Sequence, residues 1–122
     1  MAGGVSLHAL DVTTGAPARG MRVELWALTP TRRQVATGWI GRDGQLEHAS
    51  ALGLGITLGT YQALFHVGEY LRDKGLQASP LMEEVTVRFH VRDLGEHLHL
   101  PLRFTPWGFT LFASADERSH GL

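Results

Sequence analysis

Apolar and polar positions alternate with a period of two along much of the chain, and that period predicts strands rather than helices. The clearest run places Val85, Val87, Phe89 and Val91 against Thr86, Arg88, His90 and Arg92. Met21, Val23, Leu25 and Ala27 alternate with Arg22, Glu24 and Trp26, and Tyr61, Ala63, Phe65 and Val67 with Thr60, Gln62, Leu64 and His66. Val5, Leu7 and Ala9 mark a first strand, and Gln34 to Ile40 another, in which Gly38 suits a bulge or a close approach. Turn formers separate these runs: residues 11–20, Thr29 to Arg33, and Gly41 to Gly44 with its Asp-Gly step, after which Gln45 to Glu47 reads as a short extended piece. Residues 48–58 are glycine-rich and read as loop, and Gln77 to Glu83, with Pro80, as a connection. Only Glu69 to Lys74, stopped by Gly75, has the pattern of a helix. Seven or eight short strands with one short helix predict an all-β fold, an antiparallel β-sandwich.

The last hairpin is the most informative stretch. Leu98, Leu100, Leu102 and Phe104 alternate with His97, His99, Pro101 and Arg103, and Thr105 to Gly108 reads as a turn. Pairing Phe104 with Phe109 sets Arg103 opposite Thr110, Pro101 opposite Phe112 and His99 opposite Ser114. This register keeps the apolar set on one side, the condition that fixes register in a half-buried hairpin. The opposite face, with two imidazoles and a guanidinium, is a candidate site.

Composition narrows the function. With 122 residues the chain is expected to form a single domain over 1–122, with residues 115–122 as a polar, flexible tail. A net charge of −1 argues against nucleic acid or an anionic membrane as partner. There is no cysteine, hence no thiolate nucleophile or thiolate metal site. The start lacks the pattern of a signal peptide and no apolar run is long enough to span a membrane, so a cytoplasmic protein is expected.

Several stretches together resemble the transthyretin-like family. They are Leu7-His8-Ala9-Leu10-Asp11, Gly15-Ala16-Pro17-Ala18, Met21 to Leu25, Phe65 to Tyr70, His97 to Leu102 and Thr105 to Phe109. The resemblance runs in order from about residue 5 to 114 and implies sheets paired into dimers and stacked as a homotetramer around a channel. The family's bacterial branch is mainly hydroxyisourate hydrolase, an enzyme of purine metabolism, and its animal branch is a hormone carrier. By that resemblance His8 and His99 correspond to catalytic histidines. The family's catalytic arginine is here Gln45, and its closing Tyr-Arg-Gly-Ser is Phe112-Ala113-Ser114-Ala115. Arg103 stands where the family has an aliphatic residue.

The expected site is therefore His8, His99 and Arg103 for catalysis, with Gln45, His97, Thr110, Phe112 and Ser114 contacting substrate. Arg103 would supply the positive charge that Gln45 does not. The reading is a histidine-assisted hydrolase that opens a small nitrogen heterocycle. The alternatives are an acid–base catalyst for a cyclisation or isomerisation, and a carrier without catalysis. The His97-x-His99 pair suits zinc on one strand face, but no third ligand is specified by spacing, so neither metal nor cofactor is expected. His48, His66, His90 and His120 receive no role. Arg88 and Arg92 read as solvent-facing, Asp43-Gly44 as turn chemistry, and Trp107 as a packing residue.

Overall fold

The computed structural model describes residues 3–117. Two sheets pack face to face. The first contains β1 (Gly4–Asp11), β2 (Ala16–Pro17), β7 (Glu96–Thr105), β8 (Gly108–Leu111) and β9 (Ser114–Glu117), in the order β2-β1-β7-β8 with β9 also beside β7. The second contains β3 (Arg22–Ala27), β4 (Arg33–Trp39), β5 (Gly59–Phe65) and β6 (Val85–Val91), in the order β4-β3-β5-β6. The α-helix α1 (Val67–Asp73) follows β5 and ends before Gly75, whose φ of +75° is the left-handed conformation expected of a helix stop. Among the described residues no helix is long and apolar enough to cross a membrane.

The alternation sorts the side chains as expected. Val5, Leu7 and Ala9 from β1, Leu100, Leu102 and Phe104 from β7, and Val23, Leu25, Ala63 and Phe65 from the second sheet are all buried between the layers. Under the same rule the odd-numbered positions of β7 and the even-numbered positions of β1 lie on the outer face of the first sheet.

Among the described residues every strand pair is antiparallel except one. β1 and β7 run parallel, with Ser6 beside His99, His8 beside Pro101 and Leu10 beside Arg103. A parallel pair needs a long crossover, and the whole second sheet supplies it. Periodicity gives a strand its faces but not its neighbour, so the chain had not disclosed this pairing.

The hairpin register is as expected at Phe104–Phe109, Arg103–Thr110 and His99–Ser114. Pro101 and Phe112 do not form a ladder pair, because proline has no N–H to donate, and the strand breaks at Phe112-Ala113 before resuming in the same register. The expected tail is corrected in part: Ala115 to Glu117 continues β9 along β7, while residues 118–122, with His120, lie outside the described residues. Trp107 is not a packing residue. It is 74% exposed at the tip of the turn, beyond the end of the sandwich.

Candidate active site

On the outer face of the first sheet the strand registers set three neighbouring rows beside the row that holds Gly4 and His97. The first joins Ser6, His99 and Ser114; the second joins Gln45, His8 and Pro101; the third joins Leu10, Arg103 and Thr110. His8 and His99 occupy adjacent rows on neighbouring strands, and their ring centroids lie 5.7 Å apart with planes inclined at 53°. Both rings are half-buried, so each is reachable by a small molecule.

Burial lowers the pKa of the His99 imidazole below its ordinary value, and the charges of His8 and His97 push it further down. His99 is thereby kept neutral at pH 7, with a nitrogen lone pair free to take a proton.

His97 stands apart from this pair, contrary to its expected place among the substrate contacts. It is 5% exposed, and both ring nitrogens are engaged. Nδ1–H donates to the Gly3 carbonyl, and Nε2 shares a hydrogen bond of 2.6 Å with the Ser6 hydroxyl. With nothing left to offer a ligand, it ties the start of β1 to β7. Spacing places His97 and His99 on one strand face but not at one depth, which is why the pair looked like two similar groups. Among the described residues no cluster of three or more histidine, aspartate or glutamate side chains could hold a metal ion.

Gln45 is brought to the site by backbone pairing. It bridges His8 from the side opposite Pro101, and its side chain is exposed. Thr110, Ser114 and Phe112 are exposed on or beside the hairpin's outer strand.

Arg103 lies in the third row. Four residues separate it from His99, roughly 13 Å along a strand. It is exposed, has no ion-pair partner among the described residues, and lines an open groove of about 540 Å³ with Leu10, Val12, Phe104, Phe109 and Thr110. Neither histidine lines that groove. The fold thus brings His8, His99 and Gln45 together and sets Arg103 two rows from His99 and one row from His8 on the same face.

Two features went unnoticed in the sequence. Asp43-Gly44 does more than turn the chain, since a Cβ on Gly44 would stand 2.7 Å from His8 Nε2. The signal was present in the adjacency of Asp-Gly to Gln45. His66 also has a partner set. On the outer face of the second sheet its Nε2 meets Glu24, which also accepts from Arg22, Trp26 and Gln34. Burial alone would raise the Glu24 pKa, but hydrogen bonds from His66 and Trp26 and the charges of His66 and Arg22 outweigh it and hold the carboxyl below its ordinary value. This clasp joins β3 to the start of α1 and lies on the sheet opposite to the imidazole pair.

A family model described as HIUase/Transthyretin family matches residues 5–113. The 5-hydroxyisourate hydrolase 2 of Rhizobium meliloti is 32% identical over 113 residues, covering 90% of this chain and 94% of that protein. The 5-hydroxyisourate hydrolase of Deinococcus radiodurans is 36% identical over 113 residues, covering 89% and 93%. Among solved structures, (S)-allantoin synthase superposes with a TM-score of 0.83 at 34% identity, covering 93% of this chain but only 44% of that longer one.

Proposed function

The chain belongs to the HIUase/Transthyretin family, and on that premise we propose that it is a hydroxyisourate hydrolase-like enzyme, opening 5-hydroxyisourate or a closely similar small nitrogen heterocycle by adding water. The single observation that carries this reading is the His8–His99 pair, two accessible imidazoles 5.7 Å apart with the His99 pKa lowered.

In the reaction, neutral His99 takes a proton from water as the water oxygen bonds to the ring carbonyl carbon. A base with a pKa close to or just below the working pH suits that step. The carbonyl oxygen gathers negative charge, and the C–N bond of the ring then breaks. The departing nitrogen takes up the proton held on the imidazolium, leaving the opened ring and a carboxylic acid, which gives its remaining proton to solvent. His8 stands beside His99, able to hydrogen-bond the carbonyl oxygen or the departing nitrogen of a ligand lying over both rings. Gln45 beside His8 offers an uncharged amide for a ring carbonyl or N–H. Arg103 and Thr110 receive a more distant part of the ligand, with Ser114 and Phe112 along the outer strand. No cofactor enters the scheme.

The assembly we infer is a homotetramer. Two open edges support it, since β6 ends one sheet, β8 and β9 border the other, and His90 and Ser114 from these edges flank a common cavity. The setting is cytoplasmic in this reading.

The test is to generate 5-hydroxyisourate in situ and follow its decay with the wild-type protein and with His99→Ala. Acceleration by the wild type alone is expected, and decay at the uncatalysed rate with both would remove the reading. A carrier is the second reading, favoured by the groove at Arg103 that neither histidine lines. Ligand retention without turnover would select it.

A further inference from the structure

Gly44 has φ of +86°, in the left-handed region that favours glycine. Its backbone also lies against the His8 ring. A Cβ here would stand 2.7 Å from His8 Nε2 and 3.2 Å from both Cδ2 and Cε1. At that separation either the imidazole or the turn has to move.

The turn is held in place. The turn is closed by Gly41 N–H donating to the Gln45 carbonyl at 2.9 Å and Gly44 N–H to the Gly41 carbonyl at 3.0 Å. Within it, Gln45 N–H donates to Asp43 Oδ1 at 3.0 Å. The segment is then fastened to β1 on both sides of His8: Ala9 N–H donates to the Gly44 carbonyl at 2.9 Å, and Leu46 N–H to the Leu7 carbonyl at 3.1 Å. On its other flank His8 meets β7, with the His99 ring 5.7 Å away. The imidazole therefore has the fastened backbone of the turn on one side and the His99 ring on the other.

We propose that Gly44 is a positioning residue for the reaction: its missing side chain lets the Gly41–Gln45 turn back the His8 imidazole and set its approach to His99. The inference rests on the reading of His8 and His99 as the reacting pair.

A second glycine separates collision from backbone strain. Gly20 has φ of +90°, yet a Cβ there would meet nothing within 4 Å. Gly20→Ala therefore imposes a similar backbone penalty with no contact to His8. The experiment compares wild type, Gly44→Ala and Gly20→Ala in kcat, KM, pH–rate profile and the NMR resonances of the His8 ring, assigned by their loss in His8→Gln. Both alanine variants are expected to lose thermal stability. Gly44→Ala alone should lower kcat by on the order of tenfold to a hundredfold, the effect of misplacing a reacting group by about an ångström. It should also displace the acidic limb of the profile and the His8 resonances. Equal kcat and equal profiles for the two variants would overturn the proposal.

Should the wild type show no hydrolysis, the reading of function fails while the ring resonances still decide this inference. Movement in Gly44→Ala but not in Gly20→Ala supports it, and no movement overturns it. If Gly44→Ala does not fold, Asp43→Ala serves instead, because it removes the acceptor of Gln45 N–H and loosens the turn without touching Gly44. A smaller displacement of the His8 resonances is then expected, and unchanged resonances would overturn the proposal.

Discussion

His8 and His99 reach each other across parallel neighbouring strands, one row out of step, with ring centroids 5.7 Å apart. The offset is what makes the pair useful. Direct cross-strand neighbours would stack their Cβ atoms, whereas the diagonal sets the two rings side by side at the surface of the sheet.

That closeness has a consequence for pH. Burial first, and the charges of His8 and His97 next, lower the His99 pKa. The acidic limb of kcat/KM is therefore expected below about 6.5, the ordinary imidazole value. His8→Gln removes one of the charges and should move that limb upward, though not to the ordinary value, because burial remains. A titration of kcat/KM in both proteins checks the sign. The linkage to stability has the same origin. As pH falls below the unfolded value, the unfolded chain takes up a proton that the folded protein declines, so stability is lost until the folded pKa is passed.

His97 and His99 are expected to separate cleanly in denaturation experiments. His97→Ala abandons the Ser6 hydroxyl and the Gly3 carbonyl in a buried place, which should cost about 1–3 kcal/mol of unfolding free energy. His99→Ala should change stability little and abolish turnover. Chemical unfolding curves of the two variants measure the difference, and a large stability loss in His99→Ala would make that residue structural.

Arg103→Leu should act on binding rather than on chemistry. Its guanidinium lines the groove that excludes both histidines, so KM is expected to rise by up to about tenfold, equivalent to about 1.4 kcal/mol, while kcat stays within a small factor. Steady-state kinetics with the in situ substrate provide the comparison. An unchanged KM would take Arg103 out of the site.

Tyr70 and Asp11 form a buried pair. The phenol donates to Asp11 Oδ2 at 3.1 Å, while Thr13 N–H donates to Oδ1 at 3.0 Å. Burial first, and then the Asp11 charge, push the Tyr70 pKa up to about 12. The unfolded phenol ionises near 10, so stability present below pH 10 should be lost as pH rises from there through the folded value. Tyr70→Phe leaves a buried carboxylate oxygen without its donor and should cost about 1–3 kcal/mol at neutral pH. Thermal unfolding at neutral and alkaline pH tests both statements.

The core can be probed at one position. Leu102 is 0% exposed, and Leu102→Asp buries an unpaired charge whose cost exceeds the few kcal/mol that hold a domain together. Loss of the folded circular-dichroism spectrum is the expected result.

The amino-acid order by itself determined most of the longer strands and the face each presents, because a two-residue period is a local property of an extended chain, but not β2 at Ala16–Pro17, the helical start at Val67 or the strand at Ala115 to Glu117. It also fixed the hairpin register, since a turn limits how two adjacent strands can pair and one slip would turn Leu102 and Phe104 to water. The resemblance carried by His8, His99 and their neighbours named the chemistry. What lay beyond the sequence was every relation between distant segments. Tertiary structure alone decided that β1 lies parallel to β7 and so beside His99, that His97 is enclosed while His99 is accessible, and that the Asp43-Gly44 turn rests against His8. These depend on which strand neighbours which and on how deep a side chain sits. Both are set by the packing of the whole sandwich, and no local pattern records them.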